Sequence, residues 1–177
     1  MLSISNVFKI PHQGYDVRIP EGVHELLLRL KLVNYSREVE ILYRSIEAEK
    51  IDSMASDYLA LPFARRLKRV LTTDAHCLKE NEASNLFKIL LGLLNCKGHA
   101  DLETFACDAY KCFELISCYD NKNSELTLKL PLEIHIQAFE ICKNILNNKS
   151  ESLAVIESIL YALPHIINHK DFSPDQQ

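Results

Sequence analysis

The sequence predicts a mainly α-helical fold of stacked antiparallel helical hairpins, with a short β-hairpin or extended arm at its N-terminus. The chain of 177 residues contains only four glycines and six prolines, which is too little turn chemistry for a many-stranded sandwich or barrel. Apolar residues recur at intervals of three and four over most of the chain, as on the buried face of a helix. Strand-like alternation dominates only the first 19 residues.

The N-terminal segment consists of two runs, 2–10 and 15–19, in which apolar and polar residues alternate around Pro11–Gly14. Two such runs joined by four residues ending in glycine predict a β-hairpin. An extended arm lying over the helices is the alternative, because an isolated two-stranded hairpin is only marginally stable. We therefore divide the chain into residues 1–19 (hairpin or arm), 20–169 (helical domain) and 170–177, a polar tail expected to be disordered.

The first two helices are predicted from their caps and apolar faces. Pro20 suits the first turn of a helix that runs to about Val33. Ser36 is expected to cap the second helix. The apolar face of the second helix shifts near Glu47–Lys50, which predicts a bend or break there, with Asp52 as a candidate cap for a new helical segment.

Three further helices are predicted in the middle of the chain. Pro62 opens a short helix, Pro62–Leu71. Asn81 or Ser84 is expected to start a strongly apolar helix that Gly98 ends. The next helix covers 101–119. The last two of these are so rich in apolar residues that we expect them to lie centrally.

The C-terminal part is predicted to contain a short strand and two helices. Residues 125–130 alternate between polar residues and leucine before Pro131, which is placed to start a helix. Ser150 or Ser152 is expected to cap a last helix. That helix carries Pro164 inside it, and the proline is expected to kink it.

The second half of the helical domain contains a weak internal repeat. Residues 87–97 align with 139–149 at an offset of 52, and 102–116 align with 153–167 at an offset of 51. Two helical hairpins with matching apolar stripes suit a stacked repeat, because neither hairpin could bury its apolar face alone. The alternative is that two unrelated amphipathic helices happen to align.

One helix of this repeat is similar to a known family. Residues 131–146, Pro-Leu-Glu-Ile-His-Ile-Gln-Ala-Phe-Glu-Ile-Cys-Lys-Asn-Ile-Leu, resemble the inner helices of HEAT and armadillo repeats, in which alanine and branched aliphatic residues recur at helical spacing. The resemblance covers about residues 81–168 and departs from the family in its roughly 50-residue period. It implies an α-solenoid segment that binds protein partners along a helix-lined surface.

Charge and cysteine content restrict the environment of the chain. Lys and Arg total 20 against 24 Asp and Glu, a net charge of −4, so no global field attracts nucleic acid or an anionic membrane. The first ten residues lack the pattern of a secretory signal, and no run of 18 apolar residues exists. The six cysteines are therefore expected to be reduced and mostly buried, in a cytoplasmic or nuclear protein.

No catalytic, cofactor or phosphate-binding motif stands out. Cys96 and His99 have the spacing of a zinc pair, but a second tight pair is missing. His165 and His169 are four residues apart and lack a third ligand. We therefore expect no metal, no cofactor, no small-molecule substrate and no enzymatic activity.

The most distinctive local feature is a run of cations, Arg65-Arg66-Leu67-Lys68-Arg69. On a helix, Phe63 and Leu67 would anchor the apolar side while the four cations fan outward. We call Arg65, Arg66, Lys68 and Arg69 the basic segment. It is the candidate partner-binding site, suited to phosphate or to an acidic or extended peptide. The alternative is a solvated face that pairs with neighbours such as Asp57 or Asp74.

Taken together, these features predict a noncatalytic protein–protein interaction domain. It would act as a scaffold or adaptor subunit of a larger intracellular complex, in the cytoplasm or nucleus. A nucleic-acid-binding accessory domain that uses the basic segment is the alternative, and salt-dependent binding would distinguish it.

Overall fold

The computed structural model describes residues 18–51, 56–96, 102–120, 129–148, 151–169 and 171. These ranges contain seven α-helices and no β-strand, so the predicted mainly α-helical fold is confirmed. The predicted hairpin falls almost wholly outside the described ranges, as does most of the tail. The helices are α1 (Val23–Arg29), α2 (Ser36–Glu47), α3 (Leu61–Thr73), α4 (Glu80–Asn95), α5 (Leu102–Asp120), α6 (Leu132–Asn147) and α7 (Leu153–Ile167).

Helices α2 to α5 and α7 pack mainly against helices two positions away in sequence, and α6 packs against both α4 and α7. Helices α2, α4 and α6 contact one another in series, and we call them the first row. Helices α3, α5 and α7 do the same and form the second row. The short α1 packs against α2 and α4. One apolar core, which runs from Val23 to Ile166, joins the two rows.

The first helix is shorter than predicted, because the chain stays buried after the helix has ended. It ends at Arg29, four residues before Val33. Lys31 has a φ of 54°, a left-handed conformation that a helix cannot continue through. Leu32 and Val33 are nevertheless buried. The apolar pattern that suggested a longer helix therefore reflects contact with the core and not helical structure.

The predicted cap of the second helix is wrong by one position. Ser36 is the first helical residue of α2, and its side chain is not the cap. The carboxylate of Glu38 instead accepts hydrogen bonds from the backbone N–H groups of Asn34 at 2.6 Å and Tyr35 at 3.4 Å. A third-position glutamate thus satisfies the free donors at this helix start.

The start of α4 obeys the same rule. The helix begins at Glu80, so neither Asn81 nor Ser84 is its cap, and Ser84 is buried within it. The carboxylate of Glu82 accepts from the backbone N–H of Lys79 at 3.0 Å. The predicted stop at Gly98 lies outside the described residues.

Several other boundaries agree with the sequence. The break at the end of α2 is confirmed, with Glu49 at a φ of 50°. A π-helical turn, Ser56–Ala60, leads into α3. Ser152 caps α7 and accepts a hydrogen bond from the backbone N–H of Val155 at 3.3 Å. The short strand predicted at 125–130 falls largely on residues that are not described.

Positions matched by the internal repeat differ in burial. Tyr110 is 1% exposed and its counterpart Tyr161 is 74% exposed, while Leu94 and Leu146 are 7% and 40% exposed. Helices α4 and α5 each lie between two helices of their own row, whereas α6 and α7 end the two rows of described helices. The end of the first row accounts for the open Leu146. For α7 the offset of 51 is one residue out of register, because its buried stripe falls on the buried stripe of α5 at an offset of 50.

None of the helices in the described ranges combines the length and the apolar character that a bilayer span requires.

Candidate functional site

The basic segment lies on α3 and is anchored as predicted. Phe63 and Leu67 are fully buried, and Leu71 is nearly so. These residues recur at helical spacing and fix α3 against the core. The four cations occupy the remaining positions of the helix, but they do not form one uniform outward patch.

Two of the four cations bind a carboxylate on α5. The Lys68 ammonium pairs closely with one carboxylate oxygen of Asp108, and Arg65 Nε lies 3.4 Å from the other. Asp108 is only 13% exposed at its side chain, whereas Arg65 is 57% exposed. The ion pair therefore holds α3 on α5 and leaves most of the Arg65 side chain in solvent.

Asp108 was not among the acids that the sequence suggested as neighbours. Asp74 accepts a hydrogen bond from the Thr73 hydroxyl at 2.7 Å, and the side chain of Asp57 is not among those described. Asp108 lies 40 residues from Lys68, so only the packing of α3 against α5 brings the two residues together.

The other two cations have different surroundings. Arg66 Nη1 donates to the backbone carbonyl of Leu32 at 3.3 Å, and the Arg66 side chain is half-buried. Arg66 thus ties α3 to the connection between α1 and α2. Arg69 is exposed. The segment therefore presents Arg65 and Arg69 to solvent, while Arg66 and Lys68 hold the fold together.

A shallow groove of about 280 Å³ lies between α5 and α7. We call it the α5–α7 groove, and its lining residues are Cys107, Lys111, Glu114, Ser158 and Tyr161. Sequence reasoning missed it, because its two walls are about 50 residues apart and no motif links them.

The chemistry of the groove favours binding over catalysis. Lys111 and Glu114 form an ion pair at 2.6 Å. The Ser158 hydroxyl donates to the backbone carbonyl of Ala154 at 2.9 Å, and the Cys107 thiol lies 3.6 Å from the same oxygen. Neither nucleophile is therefore oriented toward a general base by these bonds. Tyr161 offers an exposed aromatic ring on the rim.

The groove lies near the basic segment. Asp108 and Lys111 are three residues apart on α5, and such residues are neighbours on a helix surface. Arg65, which reaches Asp108, consequently lies within about one helical turn of the groove. The outer side of the second row thus combines exposed cations, a groove and an aromatic ring.

Cys96 is a poor candidate for metal binding or nucleophilic attack. Its thiol donates to the Gly92 carbonyl at 3.1 Å. Burial, with a smaller contribution from the nearby Glu49 carboxylate, raises the pKa of Cys96 to about 11. A protonated thiol is neither a good nucleophile nor a ready ligand. His99, the other member of the suggested zinc pair, lies outside the described residues.

His169, one of the two histidines with the spacing of a metal pair, lies beside His135 of α6. His135 Nδ1 donates to the Ile166 carbonyl at 2.6 Å, and its ring centroid is 5.0 Å from that of His169. Burial lowers the pKa of His135; the hydrogen bond to the Ile166 carbonyl opposes this shift, and the neighbouring His169 adds to it. Within the described ranges, no three histidine, cysteine or acidic side chains are grouped as metal ligands would be.

Comparisons of this chain with protein-family models, with curated proteins and with solved structures found no match. Its function is therefore inferred from the geometry of its surfaces.

Proposed function

We propose that this chain is a noncatalytic protein–protein interaction domain of the helical-repeat type, acting as a scaffold or adaptor within an intracellular complex. The proposal is supported by the packing of alternate helices into two rows, because stacked helical hairpins bury their apolar faces in this way. Such a stack offers an extended side of one row as a binding surface. An α-solenoid of the HEAT or armadillo type is the form of repeat that we propose.

The observation that carries the proposal is the outer side of the second row. Arg65 and Arg69 are exposed on α3, and the α5–α7 groove, with Tyr161 on its rim, lies near them. In the described ion pairs, the four cations of the basic segment face the carboxylate of Asp108, so these groups together carry a positive charge. An acidic, extended peptide fits this surface, because arginine can bind its carboxylates with two hydrogen bonds while Tyr161 packs on an apolar side chain.

Nucleic-acid binding is the second candidate, favoured by the same exposed arginines. Its weakness is that Lys68 is held by Asp108 and Arg66 by a backbone carbonyl. Fewer cations are therefore available to release counterions from phosphates.

Affinity purification from an intracellular extract, read by mass spectrometry, tests both candidates. The informative variant is Arg65→Glu with Arg69→Glu, which reverses the exposed charges and leaves Arg66 and Lys68 in place. Its matched control is Lys50→Glu with Lys88→Glu, two exposed cations outside the second row. A stoichiometric acidic partner that the wild type and the control retain, and that the informative variant loses, supports the proposal.

Two results would contradict it. A partner bound equally by both variants would place the contact elsewhere on the molecule. Recovery of nucleic acid alone, with an affinity that falls steeply as salt rises, would replace the proposal by the second candidate.

A further inference from the structure

Helix α7 carries two apolar stripes, and only one of them faces the core. The buried stripe is Val155, Ile159, Ala162 and Ile166, each at most 2% exposed. A second set recurs at alternating intervals of three and four, the spacing of a helix–helix seam. We call this set the α7 stripe, and its members are Leu153, Ile156, Leu160, Leu163 and Ile167.

The α7 stripe is open in the described structure. Leu153 is 71% exposed, Leu160 56% and Ile167 42%, while Ile156 and Leu163 are half-buried. A continuous row of exposed aliphatic side chains at seam spacing is unusual on a free helix surface and marks an interaction site.

The internal repeat shows what the matched positions look like when a helix covers them. The buried residues of α7 fall on buried residues of α5 at an offset of 50, one less than the sequence alignment gave, and at this offset Leu160 aligns with Tyr110 and Leu163 with Phe113. Tyr110 is 1% exposed and Phe113 is 2% exposed, and Phe113 packs edge-on against Phe87 of α4. These two positions of α7 thus correspond to positions that helix packing covers one repeat earlier.

We propose that a second copy of this chain covers the α7 stripe, so that two copies associate through antiparallel α7 helices about a two-fold axis. The spacing of the stripe is self-complementary around Leu160. An antiparallel pair centred there sets Leu160 against Leu160 of the second copy, and Leu153 against its Ile167. A two-fold interface requires this matching of a surface with itself.

The size and charge of the α7 stripe fit a second copy of this chain. The stripe contains no charged residue, so two copies meet without burying an unpaired charge. Covering it on both copies buries several hundred Å², the size of a weak, transient interface. An interface of that size is expected to form a weak, reversible dimer.

This association does not depend on the proposed partner surface. Tyr161 and Ser158 line the groove on the side of α7 that faces α5, whereas the α7 stripe occupies different positions of the helix. Tyr161 is next to Leu160 in the helix, so the two proposals are distinguished by their separate measurements, sedimentation for dimerisation and affinity purification for partner binding.

Sedimentation velocity of the purified full chain, at concentrations from about 1 to 200 µM, tests the proposal over the range in which such an interface associates. The wild type is expected to shift from monomer to dimer across this range. Leu160→Glu places two carboxylates face to face at the axis and is expected to remain monomeric. Tyr58→Glu, at a residue that is 65% exposed elsewhere, is the matched control and should dimerise like the wild type.

A wild type that stays monomeric up to the highest concentration overturns the proposal, and so does a dimer that Leu160→Glu leaves intact. Circular dichroism of each variant shows that the helices are retained. As a second measurement, Leu160→Cys brings two thiols together at the axis. In a Cys77→Ser background, which removes the exposed native thiol, mild oxidation should give a covalent dimer with Leu160→Cys and not without it, and its failure to do so would exclude the antiparallel register.

Discussion

Asp108 is the residue on which the packing of α3 against α5 depends electrostatically. Its largely buried carboxylate faces Lys68 and Arg65 from the neighbouring helix. Removing one member of a desolvated ion pair costs more than the pair itself contributes, because the remaining charge loses its partner. The two cations are partly exposed, so water replaces some of the lost interaction.

Asp108→Asn is therefore expected to lower the free energy of unfolding by about 1 to 2 kcal/mol, between the values for exposed and buried pairs. Urea unfolding followed by circular dichroism measures this change. Glu140→Gln, at an exposed carboxylate of α6, serves as the control and should have little effect. An equal loss in both variants would show that net charge, not the α3–α5 contact, is responsible.

His135 should make stability depend on pH. Burial lowers its pKa below the ordinary value of 6.5, so the unfolded chain binds this proton more readily than the folded one. The free energy of unfolding should consequently fall as pH drops through 6.5 toward the lower folded-state pKa. Well above 6.5, where the histidine is neutral in both states, this residue contributes almost no pH dependence.

Thermal or urea unfolding between pH 7.5 and about 5 measures the slope. His135→Gln, which does not titrate, should be less sensitive to acid than the wild type. His24→Gln removes a histidine of α1 as a matched control. If the acid sensitivity of His135→Gln equals that of the wild type, another group causes the dependence.

At the scale of helices, the sequence predicted which helices form better than where each one begins and ends. All seven helices were anticipated, because apolar periodicity is set by the side of each helix that faces the core. The starts of α2 and α4 were misplaced because Glu38 and Glu82 reach back to the free N–H groups, which a search for serine or asparagine caps overlooks. The end of α1 was missed because Leu32 and Val33 remain buried outside the helix.

Gly92 sets the approach of α4 to α2. A Cβ added there would lie 2.7 Å from Ile46 Cγ2 and 3.1 Å from Ile46 Cγ1. Glycine to alanine inside a helix normally stabilises by up to about 1 kcal/mol. Here Gly92→Ala is expected to destabilise by about 1 to 2 kcal/mol, because the branched side chain of Ile46 has to move.

The effect of Gly92→Ala on the free energy of unfolding should change sign when Ile46 is shortened. In an Ile46→Ala background the clash disappears, so Gly92→Ala should become neutral or stabilising. Denaturant melts of the four proteins in this cycle provide the measurement. Destabilisation of the same size in both backgrounds would mean that the contact with Ile46 is not the cause.

At the scale of the whole molecule, the arrangement of helices determines which surfaces exist. The anchoring of the basic segment was predictable, since Phe63 and Leu67 match local helical spacing. Its partner Asp108 and the α5–α7 groove were not predictable, because they join residues 40 or more positions apart, and local patterns carry no information on which helices become neighbours. The packing of the two rows shows which helices are neighbours.

The buried cysteines can report on local opening of this fold. Cys96 comes directly after α4, Cys112 lies on α5 and Cys142 on α6, and burial raises the pKa of each thiol. An alkylating reagent attacks thiolate, so each site reacts only when its surroundings open and the thiol ionises. The exposed Cys77 reacts without such opening and supplies a reference rate. Mass spectrometry of progressively alkylated protein can thus time the opening of three different helices in the unaltered chain.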